Sequence, residues 1–464
     1  MRSHLFAGLW LATTLALAPA ARGDDPKLVT KIAFGSCVDQ AKPVPIFDAM
    51  AATKPDLLLL TGDNIYADLD RGRKVTPDVI REKYQLMAKV PGFIKLKAAS
   101  GHILATWDDH DYGKNDAGAE WEHKDGAQKE FHDFFGTPQD DPWRKQKGVY
   151  NAHVFGPVGK RVQVIMLDTR YFRSPLKKGA VDPLTRIAPY LPNTDEGATV
   201  LGDEQWKWLE EQLKKPAEVR LLVSSIQVIA DEHPFEKWAN FPKEREKLYA
   251  LLNKTGASGV LILSGDRHLA EVSIDTKTIG YPLYDVTSSG FNQASKGWRA
   301  PEKNSYRLAG MPHGDNFGFI AIDWSGADPR LTVQIRDEDG DTTCGFKVRL
   351  STLKSAGPAV KLPDGVLSPS DAAKKTGETV TVQFVVRSVG GKANLYLNSD
   401  PDFRAKDNFA VVIPVKSQTG KWEKAGTDSF LGKTVRATGK VNTNKQGAVQ
   451  LEITDEKNLE IVKP

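Results

Sequence analysis

Residues 103–116 read ILATWDDHDYGKND, and the break inside this stretch decides how the larger part of the chain folds. An apolar run of strand length, Ile103 to Trp107, ends abruptly in Asp108, Asp109, His110 and Asp111. On an exposed loop water would screen three neighbouring acids. At the end of a buried strand they meet a low-dielectric interior, where either a cation neutralises them or some are protonated.

The same break recurs outward along the chain. IAF leads into GSC at residues 35–37, LLLL into TGDNIYAD at 61–68, VIML into DTRYFR at 168–173, and LILS into GDRH at 265–268. The apolar runs VTKIAF, DLLLL, HILAT, VQVIML, VRLLVSS, GVLILS, YPLYDVT, FGFIAID and LTVQIR are each about one strand long. Several are too uniformly apolar for a half-exposed sheet. Helix patterns lie between them. LGDEQWKWLEEQLKK sets Trp206, Leu209 and Leu213 at helical spacing, and TPDVIREKYQLMAKV places a proline in the first turn after Thr76. This alternation predicts an α/β domain with helix-covered sheets, and polar clusters at strand C-termini predict one ligand-binding crevice.

A centre holding more than one cation needs a carboxylate shared between ions and further ligands for each. Asp63, behind the flexible Gly62, is the natural shared carboxylate. Tyr66, Cys37, Asp109, Asp266 and His268 supply the remaining oxygen, sulfur and nitrogen donors. With nine histidines in the whole chain, one of them His4, a histidine-rich dizinc site is poorly supplied. Donors dominated by oxygen favour hard ions and iron. Asn64 and Asn115 are candidate substrate contacts. Arg170 reads equally as a bidentate phosphate clamp or as a partner for an acid. Asp168 reads as a brace for its own loop, Asp108 and Asp111 as braces around Asp109, and Trp107 and Trp206 as packing aromatics.

The 464 residues are 40% hydrophobic and 26% charged, an ordinary globular balance with room for two domains. The formal net charge of +4 gives no nucleic-acid or anionic-membrane signature. Residues 1–23, with Arg2, an apolar stretch from Leu5 to Leu17 and small residues at Ala21 and Gly23, read as a cleaved signal peptide, so the chain is expected to act outside the cytoplasm, periplasmic or secreted. Cys37 and Cys344 allow at most one disulfide. Residues 24–350 form the expected α/β domain. Residues 351–376, rich in Ser, Pro, Ala and Lys, read as a linker, and 377–464 as a small five-stranded barrel with an OB-fold-like pattern. That last part carries 13 basic against 10 acidic side chains, too even for a nucleic-acid groove.

FGSC, LTGDNIYAD, LATWDDHDYGKND, VIMLDTRYFRSPLK, LGDEQWKWLEEQL, VSSIQV and LSGDRHLAE occur in the order and spacing of the alkaline phosphatase D family, a branch of the metallophosphoesterases. The resemblance covers about Ile32 to Gly290. It implies a pair of β-sheets flanked by helices, and a phosphomonoesterase or phosphodiesterase that uses metal-activated hydroxide at a centre of Fe3+ and Ca2+, with another divalent metal as the alternative; the chain is expected to work as a monomer. It implies Cys37, Asp63 and Tyr66 on iron, Asp109, Asp266 and His268 as further ligands, and His110 as a group that acts on the phosphate; Arg170 keeps its two readings, catalytic clamp or structural partner. Asn64 stands where many members carry tyrosine, and the N-terminus has one early arginine where the better-known exported members have two. Two other readings compete. In one, a degenerate enzyme domain accompanies a barrel that binds a polysaccharide, cell-wall polymer or nucleic acid. In the other, a glycosidase uses the paired acids, which leaves Cys37 and Tyr66 unexplained.

Overall fold

The computed structural model describes residues 27–297, 302–311, 313–354, 362–391, 393–400, 403–404, 408–418, 427–444 and 447–462. The signal-peptide reading of residues 1–23 lies outside them. Among the described residues, two sheets dominate. One runs in the order Thr342–Arg349, Arg330–Arg336, Phe317–Asp323, Lys31–Gly35, Leu57–Thr61, His102–Thr106. The other runs Arg307–Met311, Ala270–Asp275, Leu283–Ser288, Val260–Ser264, Val219–Val223, Val162–Met166, Asn151–Phe155. All nine apolar runs named from the sequence form strands, and both helix patterns form helices, Pro77–Met87 and Gly202–Lys214.

The strand period sorts side chains between layers. Ile32, Phe34, Leu57 and Leu59 of the first sheet join Val164, Leu221 and Ile262 of the second in one core. Ala33, Leu58 and Leu60, one residue out of phase, face a second core with Ile46, Phe47, Ile80, Tyr84 and Phe131 from helices Ile46–Ala52, Pro77–Met87 and Lys124–Phe134. Trp206, Leu209 and Leu213 complete the first core from helix Gly202–Lys214. Strands buried on both faces need no polar alternation, which is why residues 57–60 can be LLLL.

The strands that carry the predicted motifs pair in parallel: Lys31–Gly35 with Leu57–Thr61, and Leu57–Thr61 with His102–Thr106. In the second sheet Val162–Met166, Val219–Val223, Val260–Ser264 and Leu283–Ser288 are also successive parallel neighbours. A bridge between Ser36 and Ser289, and a 2.7 Å hydrogen bond from Thr106 Oγ1 to the Leu167 carbonyl, tie the two sheets at their C-terminal ends. All five polar loops therefore open on the same side.

The C-terminal region is all-β around its own core of Val382, Phe384, Leu397, Val411, Ile413, Val435 and Leu451. Its described residues form eight strands, where the sequence predicts five. The additional ones, Val366–Leu367, Ser388–Gly390 and Leu459–Val462, are two to four residues long, too short to show a period. Two pieces of the expected linker are ordered parts of neighbouring units. Leu353 is buried in the first domain's core, and Val366–Leu367 pairs with Thr379–Val385. Cys37 and Cys344 are both free thiols. No helix among the described residues is long and apolar enough to cross a membrane.

Candidate metal centre

Seven described non-glycine residues have positive φ, and four of them are predicted ligands: Cys37 at 66°, Asp63 at 47°, Asp266 at 68° and His268 at 53°. A left-handed backbone is costly for a side chain with a Cβ and persists where the surroundings impose it, most often at functional sites. Each of these residues lies within four residues of the end of a buried strand, Lys31–Gly35, Leu57–Thr61 or Val260–Ser264. Gly62, at φ 116°, makes the turn before Asp63 possible; a Cβ there would lie 2.6 Å from that of Asp108.

Cys37 is fully buried, and its Sγ donates to Asp63 Oδ2 at 3.3 Å and lies 3.1 Å from Ser289 Oγ. Burial and the adjacent Asp63 charge push its thiol well up. The Tyr66 hydroxyl donates to the same Asp63 oxygen at 3.1 Å and meets His268 Nε2 at 2.8 Å. Gln40 clamps the Tyr66 backbone on both sides, accepting from its N–H at 2.8 Å and donating to its carbonyl at 3.2 Å. Donor atoms of Cys37, Asp63 and His268 lie within 4.8 Å of one another, as do those of Asp63, Asp109 and His110, and those of Asp108, Asp109 and Asp266. Asp63 is shared by the first two groups and Asp109 by the last two. A chain of ligand sets linked by shared carboxylates is the arrangement a centre of several cations requires.

The protein's own charges show how short of cations this cluster is. Burial raises Asp108 and Asp266 well above the carboxylate range and pushes Asp63 up to about 6. Burial works the same way on Asp109, but His110 and Arg170 outweigh it and hold that acid at about 2. His110 is the mirror image: burial opposes its charge, yet Asp109, Asp63 and Asp68 drive it up to about 11. Asp108 Oδ2 and Asp109 Oδ1 are buried and accept no hydrogen bond. Bare carboxylate oxygens in such a place are costly, and cations of the hard or borderline kind fit this donor set.

The remaining predicted residues divide. Arg170 is completely buried. Its Nε donates to Asp108 Oδ1 at 2.5 Å and its Nη1 to Glu236 Oε2 at 2.6 Å, so of its two readings the structure shows the acid partner. Asn64 turns its amide to the Thr106 carbonyl at 2.9 Å and to Asp111 Oδ2 at 2.5 Å, bracing the loop from behind. Asn115 is exposed, and its amide bonds Asp116 at 2.6 Å. Asp111 also accepts from the Asp108 N–H at 2.6 Å, as a brace should. Asp168 holds its loop by accepting from the backbone N–H groups of Arg170 and Tyr171 at 2.8 and 2.9 Å. Trp107 and Trp206 are buried in the cores.

Two contributors, Asp68 and Glu236, and a second role for Asp108 escaped the sequence reading. Asp68 Oδ1 lies 2.6 Å from His110 Nδ1, while Asp68 Oδ2 accepts from the Asn115 N–H at 2.9 Å. This fixes the ring and leaves Nε2 as its other working nitrogen. Glu236 anchors both Arg170 and Arg173, the latter at 2.8 Å. Asp108 is both brace and candidate ligand, since only its Oδ1 is engaged, by Arg170 and by Ser225 at 2.7 Å. Asp68 had a local signal, its place on the Asp63 loop; Glu236 had none.

Comparison with known proteins agrees with this geometry. The family model described as PhoD-like phosphatase matches residues 32–288, more than half of the chain. A solved structure of PhoD aligns with a TM-score of 0.55 at 16% identity, covering 74% of this chain and 74% of that one, a likeness of fold. TT1561 of Thermus thermophilus aligns at a TM-score of 0.29 and 9% identity over 57% of this chain and 90% of its own, which carries no argument. No curated protein matches. The matched segment begins in the strand that delivers Cys37 and ends in the strand before Ser289, so it contains every predicted ligand, and the chain belongs to the PhoD-like phosphatase family.

Proposed function

We propose that this phosphatase is an exported, monomeric enzyme that hydrolyses phosphate monoesters, diesters or both at a centre of iron and calcium. The observation that carries the reading is the linked ligand chain, in which Asp63 and Asp109 each belong to two groups of donors. Cys37, Tyr66 and His268 offer the sulfur, phenol and imidazole suited to iron beside Asp63. Asp108, Asp109 and Asp266 offer an all-oxygen set suited to calcium. Bound cations would supply an activated water and compensate the charge of the phosphate.

The chain's own groups then divide the work. His110, held through Nδ1 by Asp68, presents a fixed charge or proton to the phosphate or to the leaving oxygen. Arg170 fixes Asp108 while Glu236 fixes Arg170, so the acidic loop is pre-set for its ligands. We place this activity in the part of the chain before residue 355 and regard the all-β region as accessory.

The metal-loaded protein should hydrolyse p-nitrophenyl phosphate, bis-p-nitrophenyl phosphate or both, and lose that activity to a chelator. It should also absorb visible light, since phenolate and thiolate bound to ferric iron give charge-transfer bands, and Tyr66→Phe should shift or abolish the band. A metal-loaded protein that cleaves neither ester would refute the hydrolytic reading, and a colourless active one would refute iron.

A further inference from the structure

Beside the metal centre, and separate from its ligands, lies a cavity of about 220 Å³ bordered by Tyr190, Asp231, Glu232, His233, Lys237 and Asn240. His233 is 4% exposed, and neither of its ring nitrogens has a hydrogen-bond partner. A buried imidazole with both nitrogens unsatisfied is expensive to maintain without a ligand. Lys237, also 4% exposed, bonds through Nζ only to the Phe235 carbonyl at 3.0 Å, and no described carboxylate pairs with it. Arg267 lies over the Phe235 ring at 4.1 Å and pairs through Nη2 with Glu302 at 2.7 Å, while its buried Nε has no hydrogen-bond partner.

The two acids at the rim do not balance Lys237, because each already has its own cation. Asp231 pairs with Arg245 at 3.2 Å and Glu232 with Lys303 at 2.7 Å. Lys237 therefore brings a positive charge to the cavity that no described carboxylate pairs. Burial, reinforced by Arg267, presses Lys237 down to about 8, and burial with Arg267, Lys237 and Arg307 pushes His233 well below its usual value. At this size the cavity is smaller than the roughly 300–1,000 Å³ of pockets that take whole ligands, and suits a single group.

Its walls connect to the centre by short bonds. The Tyr190 hydroxyl donates to Asp116 Oδ2 at 2.5 Å, and the Asp116 N–H donates to Asp109 Oδ2 at 2.7 Å. Glu236, between the cavity residues His233 and Lys237 in sequence, holds Arg170. We propose that this cavity is an accessory site for a phosphate group, either carried on the leaving part of the substrate or free in solution. The substrate-borne form rests on the phosphoesterase reading; the binding site itself does not.

The test uses full-length protein and inorganic phosphate as probe. In the Asp63→Asn chain, whose metal centre is disabled, calorimetry should still find one phosphate bound. Adding either Lys237→Gln or His233→Gln should weaken it about tenfold or more, the loss of one charge-assisted hydrogen bond. In the otherwise unaltered enzyme, Lys237→Gln should raise KM for an ester whose leaving group bears a second phosphate about tenfold more than for one whose leaving group is neutral. Binding that weakens with no such KM difference supports the site as one for free phosphate. Phosphate that does not bind Asp63→Asn, or binds both double variants as well as the single one, overturns the site. Failure of the unaltered enzyme to cleave either ester would strike the phosphoesterase reading, while the calorimetry still decides the cavity.

Discussion

Replacing Asp63 by Asn is expected to abolish turnover and release cations while leaving the chain folded. The carboxylate belongs to two donor groups at once, so one isosteric change removes a charge from both. Loss of a single donor to a developing anion typically costs roughly 10²–10³-fold; loss of a shared metal ligand should cost on the order of 10⁴-fold or more in kcat. Stability should fall little. The Asp63 oxygens accept only from Cys37, Tyr66 and the backbone N–H of His110, burial already outweighs the attraction of the His110 charge, and a neutral amide of the same shape fits there. Metal content, melting temperature and kcat measured on one preparation check all three expectations. A variant that retains its metals and its rate would show that Asp63 is not the shared ligand.

His110→Ala should lower kcat by roughly 10²–10⁴-fold, the usual worth of a positioned proton donor or charge stabiliser, with metal content nearly intact. The companion change is Asp68→Asn. It keeps a hydrogen-bond acceptor beside Nδ1 but removes the charge that helps hold His110 cationic, so the rate should drop less than in His110→Ala. If His110 served only packing against Tyr66, whose ring lies 4.1 Å away, truncation would lower the melting temperature more than the rate. If it were itself a metal ligand, cations would leave with it. The pair of variants separates these roles.

Residues 57–61, LLLLT, announced a doubly covered parallel strand because burial on both faces leaves no room for polar alternation. The longer strands of the first domain that went unread are of two kinds. Asn151–Phe155, Arg307–Met311 and Thr342–Arg349 are sheet edges, half exposed and mixed in composition. Ala270–Asp275 lies inside its sheet but buries Glu271, which Gln227, Asn304 and Arg307 satisfy from distant segments. A pattern of apolar residues cannot show partners of that sort.

The metal ligands were legible for a related reason. Each stands within a few residues of a strand end, so the strand reading alone carries it to the crevice. Partnerships across sequence were not legible. Asp68 meets His110 over 42 residues and Glu236 meets Arg170 over 66, and nothing local at residue 236 marks it as an anchor. The two readings of Arg170 differ only in whether such a carboxylate exists. Asn64 and Asn115 look like substrate contacts beside Asp63 and Asp109, yet their amides are bound to Asp111 and Asp116.

The most direct measurement is elemental analysis of the active protein, followed by chelation and readdition of metal with turnover followed throughout. Linked ligand groups predict more than one cation per chain, iron among them, with activity that falls on removal and returns only when iron and a hard divalent ion such as calcium are both restored. Full turnover of a phosphoester by a chain that contains no metal, or only zinc, would contradict the account.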